Sequence, residues 1–341
     1  MKRPPSWRSR AERLAAALPR SRLHPAVVAW ADSRPAREAW AVALSGGADS
    51  LCLLLLLWAH WPRRRRRLCV LHFNHRLRGA ASRADASFCR QVCRGLGVAF
   101  VAGAWESAPA AASEAGARAA RFAFFERAMR ARRTRVLWLG HQQDDIAETM
   151  LMRLARGSGA AGLAAPRPLQ AGAGGRRHVR PLLALEKSAV TAALRDAGIA
   201  WREDATNTGG DYFRNRIRRA VLPAWRRAAR RDAMAGAAHS RELLEEDDDA
   251  LEAWVDALQA LNVRSELSLS RLAGRPRAVL RRALHRWLQA QPRAGTLSRF
   301  GFEALLAAVA AGRPARQSLG TEGFAVIRGR WLRFEYFPTL H

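Results

Sequence analysis

Along its first two thirds the chain repeats one pattern: a short apolar run, a turn, then a longer stretch with helical spacing of its apolar positions. Ala39–Leu44, Leu68–Phe73, Val98–Ala102 and Val136–Leu139 read as strands. Asp49–Trp61, Ala80–Leu96, Ala112–Arg132 and Asp144–Arg156 read as the intervening helices. This alternation predicts an α/β fold, a doubly wound parallel sheet. Gly157–Gly175 is rich in Gly, Ala and Pro and reads as a long loop; Val179–Leu183 reads as a last strand and Lys187–Ala197 as a helix. From Arg214 onward the pattern is helical and basic, and a mainly helical C-terminal domain follows the sheet. The acidic run Glu245–Asp249 reads as a solvated face in a long helix reaching about Leu261. Arg275–Gln289 and Ser298–Ala311 read as helices, and Gly323–Phe334 as a hairpin turning at Gly329. The expected division is an N-terminal basic extension over 1–36, a sheet domain over 37–232 and a helical domain over 233–341.

Composition sharpens this picture. Hydrophobic residues make up 49% of the 341 positions, enough for real cores, which excludes a disordered basic tail. The longest apolar run, Leu51–Ala59, is too short to span a membrane and reads as a buried element. The N-terminus shows no secretory apolar region; an amphipathic stretch over Arg10–Leu18 reads as a leading helix, a transit peptide being the alternative. Lys and Arg total 58 against 29 Asp and Glu, a net charge of +29, and Lys2 and Lys187 are the only lysines. Arginine pairs bidentately with phosphate and stacks on bases, so the excess points to nucleic acid. A GC-rich genome would explain the Arg-to-Lys ratio but not the net charge. Four cysteines without a CxxC fit a reducing, cytoplasmic compartment.

The sharpest chemical signal is Ser45-Gly46-Gly47-Ala48-Asp49-Ser50, after an apolar strand and opening an apolar helix. Two glycines permit a tight turn, and the N–H groups of a helix start form an anion site. Asp49 is out of place beside an anion unless Mg²⁺ intervenes. A plain Ser-capped turn would explain SGG alone, but not the full pattern in this setting. It is not a Walker A loop: Lys187-Ser188 follows Glu186 where that motif needs Gly. Gly157–Gly162 matches GxGxxG but follows a helix, and Cys69, His72 and His75 lack a fourth ligand at zinc spacing.

In a doubly wound sheet, loops after the strands converge at the carboxyl edge. That edge would gather His72, Asn74, His75, His141, Asp144, Asp145 and Glu148 beside the loop. The carboxylates lie one helical turn apart and suit Mg²⁺ ligation or base catalysis, with a solvated helix face or an N-cap as the plainer readings. Glu114 and Arg118 could equally be a surface ion pair. Arg214, Arg216, Arg218 and Arg219 beside Tyr212 and Phe213 suit phosphate contact and base stacking, or a basic solvated helix.

The SGGxDS loop resembles the pyrophosphatase loop (PP-loop) of the adenine nucleotide alpha hydrolase superfamily. Taken in order with His72–Arg78, Glu114–Arg118 with Arg121-Phe122, Gly140–Thr149, Arg156–Gly159, Arg180–Leu183, Glu203–Asn207 and Phe213–Arg218, it is similar to the tRNA(Ile)-lysidine synthetase family. The resemblance is dense over Ala39–Trp225 and weaker beyond. It implies a PP-loop, Rossmann-like sheet domain that uses ATP and Mg²⁺. It implies a ligase that adenylates C2 of the wobble cytidine of tRNA(Ile) with a CAU anticodon, then joins free L-lysine, giving lysidine, AMP and pyrophosphate and turning AUG reading into AUA reading. A PP-loop tRNA thiolase and a non-catalytic RNA-binding protein are the rivals. Cys89 and Cys93, in the helix before the third strand and away from the cleft edge, do not suit the thiolase.

Carried onto this chain, the resemblance implies Asp49, Asp144, Asp145 and Glu148 as catalytic, with Asp49 and Asp144 as Mg²⁺ ligands. It implies ATP binding by Ser45, Gly46, Gly47, Ala48, Asp49, Ser50, His72, Asn74, His75 and His141. It implies substrate contact by Glu114, Arg118, Arg121, Arg156, Arg180, Asp204, Asn207, Arg214, Asn215 and Arg218. A stripe in the last segment, with Arg275, Arg281 and Arg282, is expected to hold tRNA phosphates. Departures are Gln142, where a second His is usual, Phe122 for Tyr, and an end soon after Phe334, where larger members continue. No membrane partner is expected, and a homodimer is left open.

Overall fold

The computed structural model describes residues 5–75, 80–105, 113–203, 212–291, 297–320 and 323–336. The chain divides into two compact units, Met1–Leu243 and Leu244–His341.

The first unit carries a six-stranded sheet of β1 (Trp40–Ala43), β2 (Leu68–Asn74), β3 (Ala99–Ala104), β4 (Val136–Trp138), β5 (Leu169–Gly172) and β6 (Arg176–Val179), in the order β3-β2-β1-β4-β6-β5. All neighbours are parallel except the edge pair β5–β6. The helices are α1 (Trp7–Ala17), α2 (Pro25–Ser33), α3 (Ala48–His60), α4 (Ala80–Leu96), α5 (Glu114–Ala131), α6 (Gln143–Leu154), α7 (Ala160–Leu163), α8 (Lys187–Asp196), α9 (Phe213–Arg216) and α10 (Leu222–Ala229). The central strands are apolar on both faces because helices cover both. Leucines 51 and 53–57 of α3 are at most 1% exposed, each stabilising the fold by about 1.5–3 kcal/mol. This explains why α3 is apolar all round. The doubly wound sheet expected from the alternation is present.

Two stretches differ from expectation. Gly157–Gly175, read as a loop, contains α7 and β5. The strand read over Val179–Leu183 ends at Val179: Pro181 cannot donate to a ladder and opens a 3₁₀ turn, Pro181–Ala184, while the strand comprises the polar Arg176–Val179. The arginine-rich Pro62–Arg67 buries Arg64, whose guanidinium lies 3.9 Å from the Trp40 ring centroid and donates to the carbonyls of Glu38 and Arg34.

A long helix, α11 (Ala233–Leu258), runs across the division. The second unit adds α12 (Leu269–Leu272), α13 (Arg277–Ala290) and α14 (Arg299–Ala311). Its antiparallel sheet joins β7 (Leu267–Ser268), β8 (Ala315–Ser318), β9 (Gly323–Arg328) and β10 (Trp331–Tyr336) in the order β7-β10-β9-β8. The β9–β10 hairpin turns at Gly329, whose φ of +58° is open to glycine. The core is Leu284, Trp287, Leu306, Ile327 and Leu332. The acidic run is not simply a solvated face, because Asp248 is buried and ion-paired to Arg282.

Candidate active site

The loop Ser45–Ser50 joins the end of β1 to α3. Gly46 has φ +96°, and a Cβ there would lie 3.3 Å from Cys89 Sγ and 3.4 Å from Arg202 Cγ. Only glycine meets both demands. Ser45 N donates to Ser50 Oγ (3.1 Å), Ser50 Oγ donates to the Gly47 carbonyl (3.0 Å), and Gly47 N donates to Ser45 Oγ (3.3 Å). The start of α3 has no side-chain cap, so its first N–H groups stay open to an anion. Arg202 N ties down the Gly46 carbonyl (3.0 Å), and its side chain pairs with Asp85 (2.8 Å). From β4, Gly140 fits against the same turn: a Cβ would lie 2.9 Å from the Asp49 carbonyl carbon.

Asp49 opens toward Lys187, whose Nζ reaches both carboxylate oxygens at 2.7 and 2.6 Å. Burial pushes the Asp49 carboxyl above its ordinary range, against the pull of Lys187. The backbone N–H of Lys187 donates to Asp144 Oδ2 (3.0 Å), so Asp144 caps α8 from across the cleft.

The first turn of α6 holds the other carboxylates. Gln142 caps it: its side chain accepts from Asp144 N (2.6 Å), and its own N–H donates to Asp145 Oδ2 (2.9 Å). At the position of the usual second His, therefore, stands a buried capping residue. Glu148 is 0% exposed and accepts from Arg214 (2.7 Å) and Arg218 (2.6 Å). Arg214 also reaches Asp145 (2.5 Å), and Arg226 pairs with Asp144. A π-helical turn, Ile217–Val221, follows α9 in this arginine-rich segment. Asn215 is buried, and Arg216 lies over the Phe213 ring.

Burial, reinforced by Arg180 and Arg214, holds the His141 imidazole well below its ordinary pKa. Its Nδ1 accepts from Arg180 Nε (3.1 Å), which leaves Nε2 as the N–H donor. Arg180 is itself buried, bound to the Arg167 carbonyl and Gln170, and desolvation lowers its pKa to about 10. Its guanidinium thus joins His141 to the Arg167 carbonyl and Gln170. His72 is buried, with Nδ1 on the Leu44 carbonyl (2.8 Å). Asn74 ends β2 and His75 follows it. Arg118 and Arg121 lie over Phe122, 4.8 and 5.7 Å from its centroid, a contact that needs the ring and not the hydroxyl. Arg156 is exposed beyond α6. Asp204, Asn207 and the Glu114 side chain lie outside the described residues.

Among the described residues no group of three or more His, Cys, Asp and Glu could hold a metal ion. Asp49 and Asp144, the expected Mg²⁺ ligands, are engaged by Lys187 and Arg226. Cys89, expected away from the cleft, sits directly against the loop. In the second unit Arg281 pairs with Glu303, and Arg282 with Asp248 and Glu252. These two offer no unpaired cation to a phosphate, whereas Arg275 is exposed. Lys187, Arg202 and Arg226 escaped sequence reasoning. Lys187 alone carried a signal, as one of two lysines in so arginine-rich a chain.

A model of the PP-loop domain matches residues 23–225, and the chain belongs to that family. Its sequence relatives include proteins named tRNA(Ile)-lysidine synthase. One from Solibacter usitatus is 44% identical over 183 residues, 54% of this chain and 40% of the relative. One from Gloeobacter violaceus is 37% identical over 251 residues, 72% of this chain and 75% of the relative, which places the chain among the tRNA(Ile)-lysidine synthase family. The chain spans about half the length of several curated relatives it matches. The U34-tRNA thiolase NcsA of Methanococcus maripaludis shares the fold, with a TM-score of 0.50 at 17% identity over 69% of this chain and 78% of that one.

Proposed function

We propose that this chain ligates free L-lysine to C2 of the wobble cytidine of tRNA(Ile) with a CAU anticodon, consuming ATP and releasing AMP and pyrophosphate. The supporting observation is the juxtaposition of an uncapped SGGxDS helix start with a clustered carboxylate set on α6, at the carboxyl edge of the sheet. The loop's N–H groups and serines would hold the departing pyrophosphate. The C2 oxygen of the cytidine attacks the α-phosphate, and pyrophosphate leaves. The lysine ammonium, with an unperturbed pKa of about 10.4, must lose a proton before it attacks C2. AMP then departs with the oxygen.

Asp144 and Asp145 are the candidate bases. Asp144 is the better placed, because its partner Arg226 is half exposed and exchangeable. Glu148, fully buried, has both oxygens occupied and serves to position Arg214 and Arg218. His141, neutral and fixed, can donate a hydrogen bond but cannot shuttle a proton near neutral pH. Mg²⁺ would arrive with the nucleotide, held chiefly by phosphate oxygens. Among the described residues no group of side chains forms a metal site of its own. The reaction is assigned to the cytoplasm, and a homodimer is compatible with it.

Thiolation is disfavoured by the cysteines. All four are buried, and desolvation pushes the Cys89 and Cys93 thiols up to about 12. The test is ATP-dependent incorporation of labelled lysine into unfractionated tRNA. Asp49→Asn should lower it by about 10²–10³-fold without changing tRNA affinity. ATP-dependent sulfur transfer in place of lysine incorporation would overturn the proposal.

A further inference from the structure

The loop Ser45–Ser50 contains no basic residue, yet a triphosphate brings several negative charges to it. Among the described residues, Arg202 and Lys187 stand against it. Arg202 is drawn off by Asp85, with Nε on Oδ1 at 2.8 Å. Lys187 is not drawn away: its Nζ is held by Asp49, in the first turn of α3. Its main chain is fixed independently by Asp144, so the side chain spans from one wall of the cleft to the other.

Residue type adds a second observation. Elsewhere in the described chain every Lys-or-Arg position is arginine, and Lys187 alone keeps an ammonium. An ammonium is a compact point charge with three donors, able to hold a carboxylate and a phosphate oxygen at once. A planar guanidinium engaged edge-on with Asp49 would point its remaining donors along fixed directions. As a purely structural bridge the pair would be poorly spent, because the Lys187 side chain is 42% exposed and such pairs add little stability.

We propose that Lys187 is a phosphate-binding residue of the nucleotide site, held by Asp49 so that its ammonium contacts the pyrophosphate portion of ATP. The inference rests on the proposed use of ATP. It adds a cation to a loop otherwise served by backbone N–H groups and hydroxyls. It also gives Asp49 a positioning role that needs no metal: the carboxylate aims the ammonium.

The test is equilibrium binding of α,β-methylene-ATP, AMP and tRNA to the full chain and to Lys187→Met and Lys187→Arg, with the melting temperature of each protein. Lys187→Met should weaken the ATP analogue by about tenfold to a hundredfold, the worth of a charge-assisted hydrogen bond. Its affinities for AMP and tRNA and its melting temperature should stay near wild type. Lys187→Arg should recover only part of the loss. Unchanged binding of the analogue by Lys187→Met, an equal loss for AMP, or full recovery by Lys187→Arg would each overturn the assignment. A wild-type chain that fails to bind the analogue would sink the proposed function as well; one that binds it without discriminating the variants sinks only the role of Lys187.

Discussion

The molecule holds two clusters in which arginines meet carboxylates, and they are put to different uses. At the sheet edge of the first unit, Arg214, Arg218 and Arg226 converge on Asp144, Asp145 and Glu148. In the second unit Arg282 and Arg286 reach from α13 to Asp248, Glu252 and Asp256 of α11. The pairing chemistry is the same. The surroundings are not: the first cluster centres on Glu148 at 0% exposure beside an anion-binding loop, whereas the second runs outward to Asp256, whose side chain is 70% exposed. A carboxylate withdrawn from water holds two arginines at the sheet edge. A ladder of pairs grading into solvent ties two helices together. Basic composition alone does not distinguish the two, and much of the arginine in the second unit is consumed internally.

The comparison can be broken most severely at Glu148. Glu148→Gln removes the fully buried one of the two carboxylates that hold Arg214 and Arg218, leaving Asp145, and should cost about 3 kcal/mol. Urea unfolding measures that loss, and lysine incorporation should fall with it. Next comes Asp248→Asn, which weakens the buried end of the second ladder. It should cost about 1–3 kcal/mol, while turnover per folded molecule stays at the wild-type value. A catalytic loss there would erase the distinction between the clusters. A finer contrast separates Arg275 from Arg282. Arg275→Ala should flatten the log–log salt dependence of tRNA binding by about 0.7–0.9, one phosphate contact. Arg282→Ala should leave that slope alone and lower the melting temperature instead.

The smallest effect concerns Asp49 and pH. Its carboxyl is raised by burial, so the native state holds that proton more tightly than the unfolded chain. The stability this confers is present below the unfolded pKa and is lost as pH rises through the folded one. At neutral pH the ionised group is a burden. Asp49→Asn should therefore melt slightly higher than wild type at pH 7, and the difference should shrink in acid. An equal difference at both pH values would refute that origin.

Much of this was readable in the chain. The apolar runs at β1, β2 and β4 can only be buried strands, and SGGADS between β1 and α3 marks the anion site before any fold is known. What escaped has local causes. Residues 169–179 are Gly-, Ala- and Arg-rich because β5 is the edge strand and β6 its neighbour, where apolar alternation is less needed. Lys187 meets Asp49 across 138 residues, a contact no spacing rule encodes. Gln142 stands where a second His is usual, yet the helix start needs an acceptor and an N–H there, which glutamine supplies. Asp248 looked solvated because its partner lies 34 positions downstream on another helix.

Cys89 beneath Gly46 gives the loop an intrinsic reporter. All four thiols are shielded, and this one is covered by the very turn that would clasp phosphate. A maleimide can modify it only during local openings of the structure around it, so its labelling half-life is a clock for such opening. A nucleotide that tightens the loop should slow the clock, with no engineered label and no assay of the product.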